Sequence, residues 1–130
     1  METPRILTDT SALASAGASG ASGASDASGA VWRLVEPVRH LDANVIALPA
    51  GDAIAAHDGP DEDVLWHVIA GSGTLSTADG EVALAPGAVV WLPRGSRRAV
   101  RAGSEGLRYL SVHRRKGGLR IGRGPVGGAG

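Results

Sequence analysis

Between Val31 and Ile121 no stretch of the chain sustains a helical apolar period over three turns. The apolar segments are short, rich in Val, Ile, Leu and Trp, and cut apart by Gly, Pro, Asp and Asn. This pattern predicts strands near 31–35, 43–48, 52–57, 64–70, 73–77, 81–84, 88–92, 97–102 and 107–113. Asp79-Gly80 after "TLSTA" is a hairpin signal, because glycine tolerates the positive φ of a tight primed turn. Pro86-Gly87 and Pro93-Arg94-Gly95 punctuate the chain in the same way. Short strands at such regular spacing predict an all-β domain, a small barrel or sandwich whose edges are managed by closure.

The flanks have a different character. Residues 10–30 are almost pure Ser, Ala and Gly, with Ala-Ser-Gly or Ala-Ser-Asp repeating through "ASGASGASDASG". With so little apolar surface to bury, residues 1–30 are expected to form a disordered, flexible leader. A glycine-rich flexible tail is expected over 122–130, which leaves 31–121 as the folded domain. The chain contains no cysteine, so disulfides, thiolate metal cages and cysteine nucleophiles are excluded, and any metal would need histidine and carboxylate. The start lacks a signal-peptide apolar stretch and no run is long enough to span a bilayer, so a cytoplasmic protein without membrane contact is expected.

The formal net charge of zero hides an asymmetry. Residues 1–63 carry 3 basic and 10 acidic side chains, and residues 64–130 carry 10 basic and 3 acidic. In one compact domain these halves pair with each other. That reading is preferred to a nucleic-acid surface, because the basic cluster Arg114, Arg115 and Lys116 has few aromatic neighbours for base stacking.

The most specific signal is the spacing of the punctuation. Five residues separate Gly51 from His57, five separate Gly87 from Pro93, Gly95 follows two further on, and "VIAGSG" lies between the two groups. These spacings resemble the two motifs of the cupin family over most of residues 43–113. The resemblance implies a cupin-like antiparallel jelly-roll β-barrel with a pocket inside. It also implies a metal-ligand pattern, namely a His-x-His pair and a downstream Glu in the first motif and a further His in the second, suited to iron, manganese, nickel or zinc. In this chain the first histidine is His57, the second position is Gly59, and the second-motif position is Arg98. The Glu position falls on Asp63 or Val64, depending on the direction of counting.

That ambiguity is one of register, since a one-residue slip exchanges the faces of a strand. Either Asp63, Leu65, His67 and Ile69 face inward, or Val64, Trp66 and Val68 do. The second register is favoured, because the turn at Gly71 pins the hairpin and a Val-Trp-Val face suits a barrel lining. His67 then points away from the pocket. Even in the first register, four residues at about 3.3 Å each place it roughly 13 Å from Asp63, too far to share an ion. Arg98, Val100 and Ala102 share one strand face, and Tyr109, Ser111 and His113 share another. Trp66 and Trp91 are expected in the core, and Trp32 is expected to anchor the first strand or sit in a dimer contact.

The leading expectation is a small-molecule-binding barrel whose pocket is formed by His57, Trp66, Val68, Arg98, Tyr109 and His113. In this reading most of the metal set is lost and Arg98 offers its planar fork to an anionic ligand. The metal-dependent alternative is an isomerase or oxygenase holding a divalent transition metal through His57 with Asp63 or His113 and waters. A structural or partner-binding homodimer is the third reading.

Overall fold

The computed structural model describes residues 3–18 and 28–116. Among them are one helix, α1 (Thr10–Ala18), and the strands β1 (Gly29–Arg33), β2 (Leu41–Leu48), β3 (Ala53–Asp58), β4 (Val64–Thr77), β5 (Gly80–Leu84), β6 (Val89–Leu92) and β7 (Arg97–Arg114). All strand pairings are antiparallel. The sheet order is β1-β2-β7-β4-β5, with β3 also paired to β7 and β6 also paired to β4.

Two of the expected breaks are absent. The segments 64–70 and 73–77 are one strand, β4, and 97–102 and 107–113 are one strand, β7. The hairpin expected at Gly71 is instead a bend. The first part of β4 pairs with β6 and its last part with β5, while the first part of β7 pairs with β3 and its second part with β2. β4 and β7 therefore pass from one layer, β1-β2-β7-β4-β6, into the other, β3-β7-β4-β5, and remain paired with each other throughout. This is an antiparallel jelly roll, in agreement with the fold expected from the sequence.

The bend has a local cause. Gly71 and Gly106 both adopt positive φ, 79° and 78°. A Cβ on Gly71 would lie 2.0 Å from the carbonyl oxygen of Gly106, and the β4–β7 register shifts on either side of Gly71. Only glycine provides both the backbone conformation and the close approach. The Asp79-Gly80 signal marks a real hairpin, displaced by one residue. Thr77 pairs with Gly80, and the Thr77 hydroxyl donates to the Gly80 carbonyl.

The interior is apolar, with Leu84, Leu107 and Val68 fully buried between the layers. Val64, Trp66 and Val68 are buried while Leu65 and His67 are exposed, which is the favoured register. Arg98, Val100 and Ala102 are likewise buried together. Trp91 departs from expectation: it is 61% exposed. It pairs with the outward-facing Leu65, so it shares that outer face.

Within the leader, Thr10–Ala18 form α1. Asp9 caps α1 through its carboxylate, which accepts from the Ser11 amide at 2.9 Å, and the alanine-rich sequence that follows favours helix. Arg108, buried on the outer face of β7, donates to the Leu13 carbonyl at 2.7 Å. Residues 19–27 and the tail from 117 onward lie outside the described residues. The two charge halves do meet: Arg97 pairs with Asp58, Arg94 with Asp63 and Lys116 with Glu62. Among the described residues no helix is long and apolar enough to cross a membrane.

The corner yields a prediction with an internal control. Gly51 has φ 76° and open space where a Cβ would go, whereas Gly71 has a nearly equal φ and a backbone oxygen in the way. Gly51→Ala is expected to cost about 1 kcal/mol, the conformational part alone. Gly71→Ala is expected to cost at least about 2 kcal/mol more, read as a midpoint shift in urea unfolding. Equal losses would show that the strand crossing tolerates a side chain.

Candidate functional site

A cavity of about 260 Å³ lies between the two layers. One wall is built by β2, β4 and the second part of β7, where Ser111 pairs with both Asn44 and Trp66, Tyr109 with Ile46, and His113 with Val64. Directly opposed residues in an antiparallel pair share a face, so the alternation of "YLSVH" delivers Tyr109, Ser111 and His113 to the cavity. The Trp66 and Tyr109 rings stack with centroids 4.2 Å apart and planes tilted by 31°.

The facing wall comes from β3 and the first part of β7, where Ile54 pairs with Val100 and His57 with Arg98. Ile54 and His57 are three positions apart, so unbroken alternation would send them to opposite faces. A bulge between them inserts the extra residue that brings both to the cavity. His57 Nδ1 donates to the Ala55 carbonyl inside that bulge at 2.9 Å. Across the cavity, His113 Nδ1 donates to the Arg114 carbonyl at 3.0 Å.

Arg98 is the unusual member, only 5% exposed. Its Nε donates to the Ser96 carbonyl at 3.2 Å, and its Nη2 donates to the Pro93 carbonyl at 3.2 Å and the Ser96 hydroxyl at 2.8 Å. All three acceptors are neutral. Its neighbours are matched by carboxylates, Arg97 to Asp58 at 3.2 Å and Arg94 to Asp63 at 3.9 Å, but no ion pair among the described residues includes Arg98. Burial draws the Arg98 guanidinium below its ordinary value, with the Tyr109 oxygen acting in the opposite sense. An arginine stays charged nonetheless. Burial pushes the Tyr109 hydroxyl up to about 12, against the pull of the Arg98 charge. The cavity thus presents a fixed cation beside a neutral phenol.

Of the residues singled out in the sequence, His57, Trp66, Arg98, Tyr109 and His113 line this one cavity. Val68 does not. It is fully buried and pairs with Tyr109 one step nearer the Gly71 corner, where the barrel interior is packed solid. Asp63 is also outside the lining, because it sits one residue before the inward-facing Val64. Its carboxylate accepts from the Arg94 amide at 3.0 Å and so fastens the β6–β7 loop. His67 faces outward, beside α1. Sequence reasoning missed Asn44, Ile46, Ile54 and Pro60. The first two were accessible from the alternation of "DANVIAL", but Ile54 was hidden by the bulge.

The donor set does not suit a cupin metal centre. Among the described residues no three His, Asp or Glu side chains converge. A Cβ on Gly59 would lie 2.2 Å from Nη2 and 2.5 Å from Cζ of Arg98. The guanidinium occupies the space beside Gly59 that a side chain there would enter.

Comparison with known proteins places this architecture. The cupin domain of Schizosaccharomyces pombe Cnp3 has a TM-score of 0.58 at 18% identity, over 71% of this chain and 64% of that one. The polyketide cyclase RemF from Streptomyces resistomycificus gives 0.58 at 18% identity, over 68% and 69%. The DMSP lyase DddQ from Ruegeria pomeroyi gives 0.55 at 25% identity, over 61% and 40%, so this chain spans less than half of that protein. These likenesses establish the fold. A comparison of the sequence with curated proteins finds no match. The profile of the AraC-like ligand-binding domain matches residues 49–117, from the turn before β3 to just past the end of β7, and so takes in His57, Gly59 and Arg98. With more than half of its length matched and a jelly roll shared with solved cupins, the chain belongs to the AraC-like ligand-binding domains of the cupin family.

Proposed function

We propose that this barrel binds a small planar organic molecule against the Trp66–Tyr109 pair and works by binding it rather than by transforming it. The observation that carries the reading is the cavity itself: apolar walls, one stacked aromatic pair, and a few polar groups converging from both layers. The family description, a ligand-binding domain, supports it. Each cavity histidine gives its Nδ1 to a backbone carbonyl, which leaves Nε2 as an acceptor for a donor group of the bound molecule. The solved relatives include a polyketide cyclase and a DMSP lyase, two different chemistries, so they favour no single reaction. A metal-dependent isomerase or oxygenase would require Arg98 to vacate the space beside Gly59.

The homodimer reading has one observation on its side. Leu65, Val89 and Trp91 are exposed together on the outer face of β4 and β6. Sedimentation velocity checks it: a dimer that dissociates in Trp91→Ser is the expected result if this face self-associates, and a monomer at all concentrations removes that reading. We propose a cytoplasmic location, with which a chain free of cysteine is compatible.

Two outcomes are expected at the cavity. The neutral planar probe 2-naphthol should bind one-to-one by calorimetry and quench tryptophan fluorescence. Ile46→Trp, which places an indole in the cavity, should weaken that binding by at least about tenfold while the chain stays folded. Binding indifferent to Ile46→Trp would place the probe elsewhere.

Tyr109 is the only tyrosine, so tyrosinate absorbance reads it directly. In the folded protein its proton should be held until pH approaches 12, and in denaturant it should leave near the ordinary value of 10.0. The raised value means the folded state keeps a proton that the unfolded state loses. Stability is therefore complete below the lower value and falls as pH rises through this window, by about 2–3 kcal/mol in all. Ionisation of the folded protein at the ordinary value would show that the phenol is wet.

A further inference from the structure

We infer that Arg98 is a built-in anion anchor, that the barrel selects planar ligands carrying one carboxylate, and that Gly59 lacks a side chain because the guanidinium sits in its place. The inference rests on the binding function proposed above and adds the chemical class of the ligand.

Three observations carry it. The first is charge. Arg97 and Arg94 are matched by Asp58 and Asp63, but Arg98, 5% exposed, has only neutral acceptors. Its Nη1 hydrogens have no protein partner among the described residues. A buried cation without a counter-charge is costly, and an anion entering the cavity removes that cost. The second is position. Arg98 lines the same cavity as the Trp66–Tyr109 pair, so a ligand can lay a flat apolar body on the rings and direct its charged end to the guanidinium. The planar fork of arginine suits a carboxylate better than a point anion. Because one such cation lines the cavity among the described residues, the ligand class is the aromatic or unsaturated monocarboxylate. Of the remaining polar groups, Asn44, Ser111 and the Tyr109 phenol are able to donate, His57 and His113 have given their Nδ1 hydrogens to backbone carbonyls, and none is a carboxylate that would repel the anion.

The third observation is the seat. A Cβ on Gly59 would stand 2.2 Å from Nη2, 2.5 Å from Cζ and 3.0 Å from Nε, so the whole guanidinium plane rests over the glycine. The bonds from Arg98 to Pro93 and Ser96 fix the same plane from the β6–β7 loop. The cation is thus oriented before any ligand arrives, and an oriented donor loses less entropy on binding.

The test compares carboxylates with their neutral amides on the full chain by calorimetry, using benzoate with benzamide and 2-naphthoate with 2-naphthamide. Each carboxylate is expected to bind at least about tenfold more tightly than its amide. The preference should shrink to about twofold or less in Arg98→Gln and persist in Arg97→Gln. Amides that bind as well as carboxylates would overturn the anchor and leave the cavity reading standing. Failure of carboxylates, amides and 2-naphthol alike would overturn both. A preference that survives Arg98→Gln would assign it to another group.

Because Arg98→Gln also releases the β6–β7 loop, a second measurement uses the unaltered protein. The carboxyl resonance of isotope-labelled 2-naphthoate should titrate at least about one pH unit lower in the complex than free in solution. An unchanged titration would sink the anchor. The seat has its own check: Gly59→Ala should lower the melting temperature clearly in the wild-type background and much less with Arg98→Gln present, whereas equal losses would separate the two residues.

Discussion

Gly71 and Gly106 pass each other at a distance that leaves no room for a Cβ, and both hold positive φ. Everything else in the barrel depends on that crossing. It lets β4 and β7 turn the same corner while still paired, so that each strand belongs to both layers. With separate hairpins, the two halves of β7 would have no reason to face each other. Because the strand folds over on itself, Arg98 at its beginning and Tyr109, Ser111 and His113 near its end line one cavity. The rest of the interior is closed by the apolar residues that pack behind the corner, Val68 and Leu107 among them. Packing there is tight enough that the hollow survives only toward the end carrying Arg98 and His57.

Within that hollow, electrostatics rather than shape sets the character of the site. A guanidinium in an apolar cavity is normally neutralised by an acid, and this chain has acids close by in sequence. Asp58 and Asp63 are taken by Arg97 and Arg94, on the outside of the same turn. A third acid of this segment, Glu62, is buried and pairs with Lys116, so among the described residues the inner cation is left with neutral acceptors. Burial that holds the Tyr109 phenol protonated adds a neutral donor beside it. The site therefore combines one persistent positive charge with a flat aromatic wall, a pairing suited to recognition.

Much of the fold was legible because strand alternation and glycine-proline punctuation are local properties. Strand positions, the inward face of Val64 and Trp66, and the shared face of Arg98 and Val100 all followed from a period of two. Errors came where a non-local contact overrode that period. The bulge in β3 concealed Ile54, pairing with outward-facing Leu65 put Trp91 on the surface, and the depth of packing removed Val68 from the cavity. The helix Thr10–Ala18 was not legible from composition, which weighs a segment by what it can bury alone, whereas the helix carries a cap at Asp9 and a contact from Arg108.

By itself the sequence determined the family of the fold, the identity of the strands and the two departures from the metal pattern, Gly59 and Arg98. These are one-dimensional facts of residue type and spacing. Only the tertiary structure decided that the two departures are a single feature. Gly59 and Arg98 are far apart along the chain, and the reason the one is bare and the other buried is that the guanidinium fills the space above the glycine. Steric exclusion of that kind acts between atoms and becomes visible only when both strands are in place.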